Sequence, residues 1–297
     1  MEPYNKPPIS YHDQVLRLQQ RGLTIEAFDT AIQFLQHVNY YRFSAYCIPF
    51  QNPHDVFIPE SSFKNIVELY RRDEDLRNDI LKLLSPIEIF LRTRIVYELS
   101  HACGPFAHHN PSIFRDKFDH KKWIASLVEE VSRAKETFVE HYKAKYTGFP
   151  QLPIWMACEI MSMGTLSLLY NGLLPDIQRR ICSAFEIHHS TLANWMHFIT
   201  YLRNLCAHHG RLWNRELAIR PYLPHKDIRW TSLGLNNERL FAGVVVAEWI
   251  CRKALIPVSI VEPVHDGMLR ISSLDTRFAV MMGVPAGREI GICWGMF

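Results

Sequence analysis

Glycine is scarce in this chain, at 13 of 297 residues, and apolar residues recur mostly at helical spacing, which predicts an all-α fold. Cysteine is present but unpaired in pattern. The seven residues at 47, 103, 158, 182, 206, 251 and 293 are scattered and odd in number, and none forms a C-x-x-C pair. That argues against a disulfide framework and for reduced thiols in a reducing compartment. Long apolar runs are missing too. Ile160 to Pro175 is free of charge but spans only sixteen residues and contains Ser, Thr and Asn, so it reads as a buried helix. Leu240 to Val261 is interrupted by Glu248, Arg252 and Lys253, and the first residues lack the apolar core of a signal peptide. The expectation is a soluble, cytoplasmic protein without a membrane partner. There is no H-E-x-x-H and no Cys/His ligand spacing, so no metal or other cofactor is expected, and His101, His108, His109 and His120 read as solvated loop histidines. Net charge is only +3, which by itself does not announce a nucleic-acid binder.

What the chain does have is a concentrated stretch from Arg203 to Arg215, closing its best amphipathic helix. With Ser190 as N-cap, Leu192, Trp195, Met196, Ile199, Leu202 and Cys206 define one apolar stripe. On an ideal wheel Arg203 falls roughly 20° from Leu192, which predicts a core-facing guanidinium. Such a group costs several kcal/mol unless paired or opened to a polar cavity. Asn204 and His208, four residues apart, share another face with His197 and Tyr201. Arg offers a planar fork to phosphate oxygens, His moves protons near neutral pH, and Asn orients water or a base. Without a nearby acid or nucleophilic Ser, that set suits RNA cleavage through the ribose 2′-OH. The competing reading pairs Arg203 with a buried carboxylate and leaves the histidines at a helix C-terminus, where the dipole favours cations. Glu88 and Glu159 are the candidate partners; alternatively Glu88 forms a solvated pair with Arg92, and Glu159 is a lone buried acid.

From Arg203 to Trp230, six Lys/Arg stand against Glu216 and Asp227, a local +4, with Trp213, Tyr222 and Trp230 between them. Arg211, Arg215, Arg220, Lys226 and Arg229 are therefore candidate RNA contacts, with aromatics for stacking. An ordinary basic surface with its aromatics turned inward fits the composition equally well. Asn39 to Tyr46 carries three Tyr, an Arg and a Phe, and reads as a helix-end junction with hydroxyls bonded inside rather than a stacking platform.

The elements read as helices over Tyr11–Arg21, Ile25–Val38, Ser62 to about Ser100, Lys121–Tyr146, Pro153 to about Tyr170, Pro175–Phe185, the motif helix, and one capped by Asn236 or Asn237. Ser85-Pro86-Ile87-Glu88 has capping-box form and marks a kink or fresh start. The last forty residues, with Pro257, Pro263 and Pro285, are less regular. No repeat or linker divides the chain, so residues 1–297 read as a single compact unit, with 233–297 a C-terminal helix and irregular tail.

The Arg-Asn-x-x-x-His pattern of Arg203, Asn204 and His208 resembles the signature of the HEPN ribonucleases. Arg203 through Arg215, Lys6 to Ser10, Asn39 to Tyr46, Ile87 to Arg94 and Leu152 to Met156 together look like the Abi (abortive infection) family of bacterial phage-defence proteins, over roughly residues 6–232. The resemblance implies a HEPN-type helical bundle with extra N-terminal helices, catalytic roles for Arg203 and His208, and support from Asn204. His209 lies within the spacing that the superfamily tolerates. It also implies an RNA substrate, metal-independent chemistry and a toxin-like defence effector. With one motif per chain, a composite site requires a homodimer. The alternative function is a non-catalytic RNA-binding module, associated with a small regulatory RNA.

Overall fold

The computed structural model describes residues 3, 5 and 7–294; Met1, Glu2, Tyr4, Lys6 and residues 295–297 lie outside them, Lys6 being the first residue of the expected Lys6–Ser10 motif. Among the described residues fourteen α-helices follow one another: α1 (Tyr11–Gln20), α2 (Phe28–His37), α3 (Tyr40–Cys47), α4 (Phe63–Cys103), α5 (His120–Arg133), α6 (Thr137–Lys145), α7 (Ile154–Ile160), α8 (Met163–Gly172), α9 (Pro175–Cys182), α10 (His189–Ala207), α11 (Ile228–Thr231), α12 (Leu240–Lys253), α13 (Glu262–Ser272) and α14 (Arg277–Met281). Among the described residues, β-structure is limited to isolated bridges such as Thr24–Ser62 and Phe114–Leu173. The fold is all-α.

Helix α4 is the spine. Its 41 residues span about 60 Å at helical rise. Ile66, Leu69, Leu76, Ile80, Leu83, Ile87, Leu91, Ile95 and Leu99 recur every three or four positions, save where Asp73 stands between Leu69 and Leu76, and are all buried. Each contributes about 1.5–3 kcal/mol relative to exposure. Around this line pack α3, α7, α9, α10, α12 and α13. Ser62 starts the helix by accepting the Asn65 N–H at 3.2 Å. The helix continues through Pro86 without a fresh start, even though Pro86 lacks the N–H that would serve the Lys82 carbonyl.

Two expected helices are broken. Lys121–Tyr146 divides into α5 and α6, because Ala134 turns extended and buries itself in the core. Pro153–Tyr170 divides at Met161, where Ser162 caps α8 by accepting the Thr165 N–H at 3.1 Å. The helix after Asn236 begins later, at Leu240, without a side-chain cap; Asn236 instead accepts the Glu238 N–H at 2.9 Å. In the tail, Pro263 stands in the first turn of α13, where proline is tolerated, and α13 packs along α4. Beyond α14 the chain is irregular, held by the buried Glu248 carboxylate, which accepts the Cys293 and Trp294 N–H groups at 3.0 Å each. Trp294 thereby closes an aromatic pile, its ring centroid 4.8 Å from those of both Trp230 and Trp249.

Candidate functional site

Helix α10 buries Leu192, Trp195, Met196, Ile199, Leu202 and Cys206 as the apolar stripe requires. Its N-cap is His188 rather than Ser190: the His188 ring accepts the Ser190 N–H at 3.3 Å and bonds its hydroxyl at 2.7 Å. The other end is a tight stop. His208 is the C-cap, at φ −92° and ψ 20°, and donates its N–H to the Asn204 carbonyl at 2.9 Å, while His209 turns left-handed at φ 56°. The His209 N–H then bonds Cys206 at 3.0 Å and the Gly210 N–H bonds Leu205 at 2.7 Å, satisfying carbonyls that the helix leaves open. A Cβ at Gly210 would lie 2.2 Å from Leu205 Cδ1, so any larger residue forces that side chain to shift.

Arg203 is not core-facing. It is exposed, as are Asn204, His208 and His209. Leu202 and Cys206 keep the stripe buried to the end of α10, while Arg203, at its edge, emerges into a groove of about 320 Å³ beside α4, shared with Leu84, Glu88, Ile89 and Arg92. Its Nη1 donates to Asn204 Oδ1 at 3.2 Å. Neither candidate acid holds it. Glu88 is taken by Arg92 at 2.5 Å, and Arg92 also donates to the Cys158 carbonyl, tying the Ile87–Arg94 stretch to α7. Glu159 is exposed rather than a lone buried acid. Among the described residues Arg203 pairs with no carboxylate.

The segment after the motif is anchored from below by a buried network absent from the expected site. Asp73, with no exposed surface, accepts the Leu212 N–H at 3.2 Å and the Trp213 N–H at 2.7 Å. It also accepts the Tyr46 hydroxyl at 2.6 Å and pairs with Arg77 at 2.6 Å. Burial pushes the Asp73 carboxyl up, against the pull of Arg77, Tyr46 and the two backbone donors. Burial works against the Arg77 charge, but Asp73 and Tyr46 hold it above the usual arginine value. From α3, Arg42 donates to the His209 carbonyl and, at 3.2 Å, to the Tyr70 hydroxyl; Arg211 reaches back to the Ala45 carbonyl. Arg42 and Tyr46 of the Asn39–Tyr46 cluster are therefore structural, as its composition suggested, and fix the turn that carries His208, while Tyr41 is exposed. One signal for the network lay in the sequence: Asp73 and Arg77 occupy the apolar period of α4 four residues apart.

The basic segment does not gather at the motif. It runs back along α10, with the Ala218 N–H on the Tyr201 hydroxyl at 3.3 Å, the Tyr222 N–H on Asn194 Oδ1 at 2.6 Å, and Lys226 in a groove beside His188. Most of its charge is engaged. Arg220 pairs with Glu216 at 2.7 Å and Glu238 at 2.5 Å; Arg229 pairs with Asp227 at 2.7 Å and lies over Trp249. Arg211 is spent on Ala45, and Arg215 Nε on the Arg211 carbonyl at 2.5 Å. Trp213 and Trp230 are buried, leaving Tyr222 as the exposed aromatic.

His108 also departs from expectation. It is fully buried, its ring nitrogens bond no protein group, and burial, with His109 and His120 nearby, pushes it down to about 3. Among the described residues no three His, Cys, Asp or Glu gather in a metal-holding group, and no helix is long and apolar enough to cross a membrane.

These features define an all-α protein that presents Arg-Asn-x-x-x-His at an exposed helix end above a buried Asp–Arg–Tyr anchor. The chain belongs to the Abi-like protein family, whose model matches residues 33–214, from α2 through the anchored turn. Membership suggests a part in abortive-infection phage defence. No match was found among curated proteins or solved structures.

Proposed function

We propose that the chain is a HEPN-type endoribonuclease, a phage-defence effector that cleaves RNA through the ribose 2′-OH without a metal ion. The observation that carries this is the exposed, carboxylate-free state of Arg203 beside Asn204 and His208. A structural arginine on this helix would be paired, since Glu88 lines the same groove; instead Glu88 is taken by Arg92, and the Arg203 fork stays available. In this mechanism Arg203 clamps the phosphate, where charge builds in the phosphorane. His208 moves the proton at the 2′-OH or the leaving oxygen, and Asn204 holds Arg203 through their 3.2 Å hydrogen bond. His209 is tied by its backbone to Arg42 and is the lesser candidate.

Ideal helical geometry sets positions 203 and 208 about 140° apart; Arg203 lies in the groove beside α4, and His208 is the C-cap of α10. A single chain does not aim both at one atom. The reading therefore includes a homodimer in which two α10 ends face each other, with the exposed Ile89 beside the Arg203 groove as apolar contact surface. RNA cleavage by wild type, Arg203→Ala and His208→Ala, in excess chelator and with end-group analysis, tests the proposal. Cyclic phosphate ends made only by wild type support it; equal cleavage by all three chains overturns it.

A further inference from the structure

Helices α8 and α10 run side by side in opposite directions, with the Thr200 hydroxyl 3.4 Å from the Met163 carbonyl at one end and Ser190 near Asn171 at the other. Between them lies an open groove of about 570 Å³. Its α10 wall is formed by Ala193, His197 and Thr200, and this line continues directly into Asn204 and His208. On an ideal wheel those five positions fall within about 80° of one another. The groove thus leads along one face of α10 to the motif.

The far end of the groove is closed by Arg115. Its Nε donates to the Leu173 carbonyl at 3.1 Å, and one Nη donates to Gln178 Oε1. Gln178 is itself fully buried and fixed, donating to the Tyr170 carbonyl at 2.6 Å while its Oε1 also bonds His189 at 2.9 Å. Arg115 is thereby oriented by neutral acceptors alone and pairs with no carboxylate among the described residues. No Asp or Glu lines the groove; its polar walls are hydroxyls, amides and His197, and Leu168 adds an exposed apolar surface. An oriented cation, neutral hydrogen-bonding walls and an apolar shelf match a phosphate with its attached nucleoside.

We propose that this groove is the track for single-stranded RNA leading to the cleaved bond, with Arg115 gripping a phosphate a few nucleotides from it. From Ser190 to His208 the helix rises about 27 Å, a span that suits a strand and exceeds a mononucleotide. The track replaces the basic segment 211–229, whose guanidiniums are largely engaged. The inference rests on the ribonuclease reading of Arg203 and His208, and its test separates the two.

The test uses the full chain with a fluorescent, uncleavable 2′-O-methyl RNA strand, and separately with adenosine monophosphate. Two variants are compared with wild type: Arg115→Gln removes the cation, and Ala193→Trp fills the groove while leaving the Arg115 hydrogen bonds in place. Each is expected to weaken strand binding about tenfold, as for one charged hydrogen bond, and Arg115→Gln also lowers the salt slope by about one. If both variants lose strand binding while wild type never cleaves RNA, the track stands and the ribonuclease reading falls. If both bind the strand as wild type does and His208-dependent cleavage persists, the track is overturned and the ribonuclease reading stands. If Arg115→Gln loses only mononucleotide binding, the groove serves a free phosphorylated ligand and the track is overturned.

Discussion

Asp73 Oδ1 accepts the backbone N–H of Trp213 at 2.7 Å across 140 residues of sequence, so the turn beyond the motif is held by a carboxylate on the central helix. With Arg77 and Tyr46 on the same carboxylate, the turn carrying His208 is set from beneath by buried polar contacts.

Asp73→Asn therefore acts on stability and on the motif together. It keeps the shape but leaves the Arg77 charge buried and unpaired, a loss of about 3–5 kcal/mol for broken pairs of this kind. Urea denaturation checks the size. A variant as stable as wild type would show that the pair does not anchor the fold.

The stop after α10 makes its own prediction. Gly210→Ala places a Cβ against Leu205 and costs about 1–3 kcal/mol by overpacking. Leu205→Ala removes the obstacle, so the double variant loses less than the sum of the two singles in a double-mutant cycle. Strict additivity would contradict the clash.

Stability also depends on pH through His108. Its folded value is pushed down to about 3 from 6.5, mainly by burial, so the unfolded chain binds the proton first as pH falls. The stabilisation is fully present above pH 6.5 and is lost as pH drops toward 3, by at most about 1.4 kcal/mol per pH unit. His265, held low by burial despite Asp266, adds in the same direction. His108→Phe should flatten the profile over that window in denaturation at stepped pH; an unchanged slope rules His108 out as its source.

Much of this architecture is readable from residue spacing. The stripe from Leu192 to Cys206 defines α10, and the composition of Asn39–Tyr46 marks a junction. Arg203 shows where a helical wheel stops being informative: the wheel orders side chains around an axis but does not say where the packed neighbour ends. The break between α5 and α6 was illegible for another reason. Ala134, Lys135 and Glu136 are good helix formers, and only burial of Ala134 against the core turns the chain there. Proline misled in both directions, since Pro86 is absorbed inside α4 while Pro263 helps to start α13. The charges of Arg211 to Arg229 were visible, but their partners Glu186 and Glu238 and the Ala45 carbonyl depend on tertiary placement.

The proposed dimer has a mixing test. Neither Arg203→Ala nor His208→Ala chains should cleave alone, and an equimolar mixture should regain part of the activity, because one shared site would recover an intact Arg and His. A protein that sediments strictly as a monomer while cleaving RNA would contradict the composite site.

The most direct measurement is of the ends left on RNA. Purified wild-type protein in excess chelator should leave 2′,3′-cyclic phosphate ends, His208→Ala should leave the RNA intact, and His209→Ala should cleave as wild type does. Cleavage that requires an added divalent ion and leaves 3′-hydroxyl ends, or that survives in His208→Ala at the wild-type rate, would contradict the account.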